Sequence, residues 1–251
     1  MKPEERHTIL MVDEMQITSG LVYDHSCCEV LGAPTLPLSD GSLPDDCLAT
    51  HALVFMLGGL STRWKQTIGY QLTGNSIHTA SFKAHVVDLI TACESIGINI
   101  HVVVSDMGTA NQALWKLFGI TVGKHSRPRT SCPHPCDPQR KLWFMADVPH
   151  LLKNLRNHLT KGQLIYLPDE IVKKHDLPTN CVNVEFIKAL VRHDKKDDKL
   201  APHLNASILD PNHYDKMKVG LSFSLFHNDA ASGLRLLEEK TKIPRNVRTT
   251  A

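Results

Sequence analysis

Residues Ile9–Ile17 read ILMVDEMQI, an apolar run with two adjacent acids set into it. Apolar residues flank Asp13 and Glu14 on both sides, which predicts a core strand that carries a carboxylate. An unpaired buried charge is costly, so a partner or a metal ion is expected beside it. Outward from this run, GLVYD (Gly20–Asp24) is the expected hairpin partner, followed by a loop rich in Pro, Gly, Ser and Asp, GAPTLPLSDGSLPDD. ALVFMLGGL (Ala52–Leu60) and TIGYQLT (Thr67–Thr73) read as further strands, so the opening predicts an antiparallel meander of three or four strands.

The period then changes. In SFKAHVVDLITACESIG, Phe82, Val86, Leu89, Ile90 and Cys93 fall at helical spacing, with Ser81 as the expected cap and Gly97 as the stop. Ile98–Val104 is almost continuously apolar, as in a strand buried on both faces of a parallel pairing, and it ends in a second acid, Asp106. TANQALWKLFG predicts a short helix packed through Leu114, Leu117 and Phe118. KLWFMADVPHLLKNLRNHL predicts a strand running into a helix, with a third acid, Asp147, at the junction. The fold class that follows is α/β, a mixed sheet with flanking helices and then a mostly α-helical region. In that region DEIVKKH and NVEFIKALVRH read as amphipathic helices, HDKKDDKLAPH as a charged linker, and DKMKVGLSFSLFHNDAASGLRLLEE as one longer helical stretch.

Composition narrows the function classes. The chain has 251 residues, 42% apolar and 22% charged, with a formal net charge of +2, so a nucleic-acid role must rest on local patches. One such cluster is Lys124, Arg127 and Arg129 in KHSRPRT, though both it and RHDKKDDK are most simply solvated loops. No apolar run is long enough to span a bilayer, and MKPEERHTIL lacks a signal-peptide pattern. Seven cysteines without regular spacing suit a reducing compartment, cytosol or nucleus.

Asp13 and Asp106 form the sharpest chemical pair. Carboxylates on neighbouring strands can share Mg²⁺, which prefers hard oxygen ligands, and two such metals suit phosphoryl transfer. The plainer alternative is two solvated strand-end acids. Glu14 alternates to the opposite face and is the weaker ligand. His150, Lys153, Asn154 and Asn157 share one helical face, either as a phosphate-binding helix start or as the solvated side of a helix packed through Leu151, Leu152, Leu155 and Leu159. Cys132, His134 and Cys136 in SCPHPCDP invite a zinc reading, but no second ligand group follows at suitable spacing, and idle turn cysteines are the simpler account. Cys27–Cys28 reads as packing or surface. GxxxxGK[ST] and GxGxxG are both absent, so any nucleotide binds by another device.

Five motifs in order carry a resemblance: VDEMQI, VFMLGGLSTRWKQTIGYQLT, VVSDMGTANQALWKLFGI, MADVPHLLKNLRNHL and DKMKVGLSFSLF. From about residue 8 onward the chain resembles P-element-type DNA transposases, a group that includes THAP-domain relatives. The resemblance implies an RNase H-like catalytic core over residues 1–145 and a GTP-binding insertion domain, incomplete here, over 146–251. It implies that Asp13 and Asp106 are the first two catalytic acids and hold Mg²⁺, and that Asp147 and Lys153 contact GTP. It also implies DNA partners (transposon ends), a possible homo-oligomer, a nuclear location and DNA recombination as the activity. The third acid of the family, a glutamate after the insertion, is not matched, and nothing marks Glu238 or Glu239 as that residue. The expectation is therefore a transposase fragment that does not transpose alone, with part of its sheet uncovered. The alternatives are a domesticated, non-catalytic protein binding DNA or nucleotide, and a metal-dependent nuclease or nucleotide-binding enzyme of another class.

Overall fold

The computed structural model describes the chain apart from residues 27, 44–45, 124–126, 195–198 and 241–244, with backbone alone at 245–246. Lys124 of the basic cluster, Cys27 and the centre of the charged linker thus lie outside the described residues. The chain divides into two compact units, Met1–Asp147 and Val148–Ala251.

Unit 1 contains strands β1 (His7–Gln16), β2 (Val22–Asp24), β3 (Glu29–Leu31), β4 (His51–Gly59) and β5 (Lys65–Thr73). Helix α1 (Thr79–Ser95), β6 (Asn99–Ser105), α2 (Thr109–Leu117), β7 (Ser131–His134) and β8 (Asp137–Ala146) follow. Six strands form one mixed sheet in the order β5-β4-β1-β6-β8-β7. The pairs β1/β6 and β6/β8 are parallel, and β4/β1, β5/β4 and β7/β8 are antiparallel. The apolar run of β6 therefore lies between two parallel neighbours, as its composition requires.

One face of the sheet packs on α1 and α2. Leu10, Val12, Phe55, Leu57, Ile100, Val103, Leu142 and Phe144 meet Phe82, Val86, Ile90, Leu114 and Trp115 in a single core. The residues between them, with the strand period of two, point to the other face. There Met15, Tyr70, Trp143 and Met145 are exposed, and no described element of unit 1 covers them.

Several local expectations are corrected. Gly20–Asp24 does not pair with β1; β2 pairs with β3 in a small separate sheet, and β4 takes the place beside β1. The first strand prefers β4 because a ladder of nine residue pairs with an apolar centre, Leu10 to Val12, outweighs a local hairpin of three. Helix α1 starts two residues before Ser81, with His78 at the cap position and Ser81 Oγ 3.0 Å from His78 Nδ1. Its end is as expected. Gly97 takes φ +79°, its N–H donates to Glu94 O, and Ile98 N–H donates to Cys93 O, a Schellman closure. In α2 Leu114 packs as expected, with Phe118 beside it just past the helix end, but Trp115 is buried and Leu117 is exposed.

Unit 2 contains α3 (Val148–Thr160), β9 (Ile165–Tyr166), α4 (Asp169–Lys174), β10 (Cys181–Val182) and α5 (Val184–His193). Short helices α6 (Ala206–Leu209), α7 (His213–Met217) and α8 (Val219–Leu225) lead to α9 (Asn228–Lys240). The stretch expected as one long helix is three, broken at Lys218 and at Phe226–His227. In α5, Val184, Ile187, Leu190 and Val191 turn one face inward, and the Asn183 side chain caps the helix by accepting from Glu185 N–H at 2.9 Å. They pack with Leu159, Ala201, Leu204, Ile208, Leu225, Leu234 and Leu237 in a second core. In α3 Leu151 and Leu155 are exposed, and the fully buried side chain is Arg156. It donates to Asp215 O at 3.3 Å, Lys216 O at 2.9 Å and Asn157 Oδ1, which satisfies its buried donors and clamps α7 against α3.

Candidate active site

The parallel register places the three acids of unit 1 side by side. Val12 pairs with Ser105, and Ser105 pairs with Ala146. The next residue along each segment is Asp13, still within β1, and Asp106 and Asp147, just past the ends of β6 and β8, so the three are aligned in one rank where the parallel pairing of β1, β6 and β8 ends. Open α/β sheets gather ligands at this edge, because the backbone there leaves the sheet and side chains converge.

Asp13 is exposed, so the premise of a charge buried in a core strand is corrected: β1 is buried through Val12 and exposed from Asp13 to Gln16. Solvent reaches the carboxylate, and its desolvation cost is small. Asp13 Oδ1 accepts the N–H of Glu14 at 2.9 Å. Glu14 lies one residue on and faces the other way, where Thr73 Oγ1 donates to it at 3.1 Å.

Asp106 is half-buried and held firmly. Its Oδ1 accepts Gly108 N–H at 2.9 Å and Asn111 Nδ2 at 2.6 Å, which leaves Oδ2 without a hydrogen bond among the described residues. Gly108 has a local reason. A Cβ there would sit 3.1 Å from Asp106 Oδ1, so glycine lets the backbone N–H close on the carboxylate. Behind it, Trp115 Nε1 donates to Ser105 Oγ at 3.1 Å, which fixes the end of β6 against α2. Asn111 was not singled out from the sequence. Its signal is a polar residue on the inward face of a helix, five residues after an acid. Its Oδ1 is buried without a hydrogen-bond partner among the described residues.

The third acid, Asp147, donates its backbone N–H to Ser105 O at 2.8 Å, which ties the end of β8 to that of β6. Lys153 lies on α3 in unit 2 and is half-buried. In the α3 face expected to bind phosphate, His150 and Asn157 are half-buried and Asn154 is exposed.

The donor set at Asp13 and Asp106 fits a hard divalent cation. It offers oxygen ligands only, one from a solvent-facing carboxylate and one from a carboxylate oriented by two donors that leave its second oxygen available. The SCPHPC segment does not fit zinc. It forms the β7/β8 hairpin, burial pushes the Cys132 thiol up, and both His134 nitrogens are engaged, Nε2 with Ile100 O at 3.1 Å and Nδ1 with Cys136 N–H at 3.2 Å. Arg127 and Arg129 are exposed, and Thr121 and Arg129 form an isolated antiparallel bridge.

Residues 1–119, β1 through α2, match the family described as TNP-like, RNase H N-terminal domain. The sheet and its helices are thus RNase H-like. The chain is 26% identical over 227 residues to Transposable element P transposase of Drosophila melanogaster, covering 90% of this chain and 26% of that protein. It is 24% identical over 229 residues to DNA transposase THAP9 of Homo sapiens, covering 91% of this chain and 24% of that one. A solved structure described as the Drosophila P element transposase strand transfer complex superposes with a TM-score of 0.74 at 22% identity, over 100% of this chain and 49% of that one. The chain is homologous to these P-element-type transposases and spans about a quarter of the length of the curated relatives.

Proposed function

We propose that this chain is the metal-binding part of a transposase-like catalytic core acting on DNA in the nucleus, and that Asp13 and Asp106 hold Mg²⁺. The observation that carries the reading is the parallel register, whose last pair, Val12 and Ser105, is followed directly by Asp13 on one side and Asp106 on the other. Bound there, Mg²⁺ would supply Lewis-acid stabilisation of charge on a DNA phosphate. The chain's own residues do the positioning: Gly108 and Asn111 orient Asp106, and the β1/β6 ladder sets its spacing from Asp13. Homology to two transposases supports the DNA substrate class.

GTP is the proposed cofactor of unit 2, with Lys153 as a phosphate contact, and Asp147 is kept as a nucleotide-contact candidate by family resemblance alone. The half-buried Lys153 is suited to this, because a lysine can pack its apolar stem and still present its ammonium to a phosphate.

The test is calorimetric titration of the full chain with Mg²⁺ and Mn²⁺. Asp13→Ala and Asp106→Ala are each expected to weaken binding roughly tenfold or more, since hard-cation affinity follows the number of carboxylate charges. Unchanged titration in both variants would sink the metal assignment. GTP titration of wild type and Lys153→Ala tests the cofactor separately, with loss of binding in the variant expected. Incubation of the metal-loaded chain with transposon-end duplex, scored for nicks, separates a catalytic chain from a non-catalytic DNA-binding relative.

A further inference from the structure

Among the described residues of unit 2, three metal-ligating side chains converge at a place that none of the roles above uses. They are His203, in the connection between α5 and α6, His227, just before α9, and Asp229, in the first turn of α9. One ligand atom of each lies within 4.8 Å of the others. Asp229 sits between the two imidazoles: its Oδ2 faces His203 Nδ1 at hydrogen-bonding distance, and its Oδ1 lies 3.2 Å from His227 Nδ1. The rings are 4.9 Å apart at 50°, so they are tilted rather than stacked flat.

The backbones that carry these side chains are held independently of them. Asp194, 4% exposed, accepts Leu200 N–H at 2.9 Å and Ala201 N–H at 2.8 Å, which fixes the approach to His203. Ala201 and Leu204 are buried on either side of it. On α9 a Cβ at Gly233 would lie 3.3 Å from Ala201 Cβ, so the His203 loop packs directly on the helix that bears Asp229. The ligand side chains themselves stay open to solvent, 63% for His203 and 51% for His227. A framework fixed from below with ligands open above is what a metal site with an entry path requires.

We propose that His203, His227 and Asp229 form a zinc site that ties the α5–α6 connection to the start of α9. Two imidazoles and one carboxylate are a borderline donor set that suits Zn²⁺ and leaves a fourth position for water. Mg²⁺ and Ca²⁺ are poor competitors, because imidazole nitrogen is a weak ligand for hard cations. His227 Nδ1 also accepts the Asp229 backbone N–H at 3.3 Å. Zinc binds unprotonated ring nitrogens and the carboxylate, so any proton held at those atoms leaves to solvent when it binds. The site is separate from the carboxylate rank of unit 1 in ligand chemistry and in position along the chain.

The full chain, stripped with chelator, is titrated with Zn²⁺ by calorimetry and by competition against a chromophoric chelator. One equivalent is expected to bind. His203→Ala, His227→Ala and Asp229→Asn are each expected to weaken it at least tenfold, with far-UV circular dichroism unchanged. The double variant Cys132→Ser/Cys136→Ser is expected to bind like wild type. Cobalt substitution gives a second readout: nitrogen and oxygen ligation without thiolate charge-transfer absorption, lost in Asp229→Asn. His203→Gln serves if His203→Ala does not fold. Equal zinc binding in wild type and all ligand variants, loss of binding in the cysteine variant, or thiolate absorption in the cobalt form would each overturn the assignment. No zinc binding by wild type would reduce the cluster to an Asp–His ion pair and overturn it as well.

Discussion

The carboxylate of Asp106, proposed above as a Mg²⁺ ligand, is aimed by two neighbours. Gly108 N–H and Asn111 Nδ2 both grip Oδ1 and turn the carboxylate about one oxygen. Asn111→Ala is expected to weaken Mg²⁺ binding roughly tenfold, the lower end of the range for lost orienting groups around metals. Gly108→Ala, whose new Cβ would crowd the same oxygen, is expected to act in the same direction. The measurement is the Mg²⁺ titration, and an unchanged constant in both variants would mean that Asp106 needs no orientation. A second residue-scale device lies at the other end of the sheet. Glu94, 12% exposed, receives Arg140 Nη1 at 2.7 Å and lies 3.4 Å from His134 Nε2. Burial by itself raises the Glu94 pKa, but the Arg140 hydrogen bond, the Ile100 N–H and the nearby positive charges outweigh it and leave the group below its ordinary value. Burial, then the Arg140 charge, pushes His134 down, and burial also lowers His101. The folded pKa is depressed in every case, so the unfolded chain binds protons first. Stability is therefore full above about pH 7, falls as pH drops through the ordinary histidine range near 6.5, and falls again through the carboxylate range below about 4.5. Urea midpoints between pH 8 and pH 4 check this, and a flat profile would contradict it.

At the scale of elements, packing decides among pairings that local sequence leaves open. The α/β alternation, the parallel burial of β6 and the helical period of α1 are all legible, because each is written in the spacing of apolar residues within one segment. The partner of β1 is not, because β2 is nearer in sequence while β4 offers the longer apolar ladder. The end of α1 is legible for a different reason: Gly97 needs φ +79°, and glycine meets it without strain. Gly97→Ala is expected to destabilise unit 1 by about 1 kcal/mol, read from the chemical-denaturation midpoint, and its Cβ would also approach Arg6 Nη1 at 3.1 Å. A neutral effect would show that the closure contributes nothing. Element breaks in unit 2 were hidden. The apolar content of DKMKVGLSFSLFHNDAASGLRLLEE runs on through Lys218 and Phe226, and the interruptions follow from packing, with Arg156 holding the Asp215 and Lys216 carbonyls that end α7.

At the scale of the whole molecule, the described residues form two large cores, one built on a sheet and one on helices, and a small third cluster of Ala49, Ala52 and Leu72. Phe55 and Leu190 are each fully buried, one in each core. Phe55→Ala is expected to cost about 3–5 kcal/mol and Leu190→Ala about 2–5 kcal/mol. Each loss should appear first in hydrogen exchange of its own unit. Equal loosening of both units by either variant would mean that the chain unfolds as one cooperative block. Unit 1 alone leaves an apolar sheet face open at Tyr70, Trp143 and Met145, larger side chains than a solvated face needs.

The sequence by itself determined what lies within one segment's reach: the mixed α/β class, a helical second half and the kinship with P-element-type transposases. Periodicity, turn chemistry and motif order are local properties, and they survive without knowledge of the partner. Only the tertiary structure decided which strands are neighbours, that Asp13, Asp106 and Asp147 form one rank, and that Asn111 supports it. It also revealed Arg156 at the centre of unit 2 and the meeting of His203 with His227 and Asp229. These depend on contacts between residues far apart in the chain, set by the register of a parallel ladder and the packing of a loop on a helix, and no single segment encodes them.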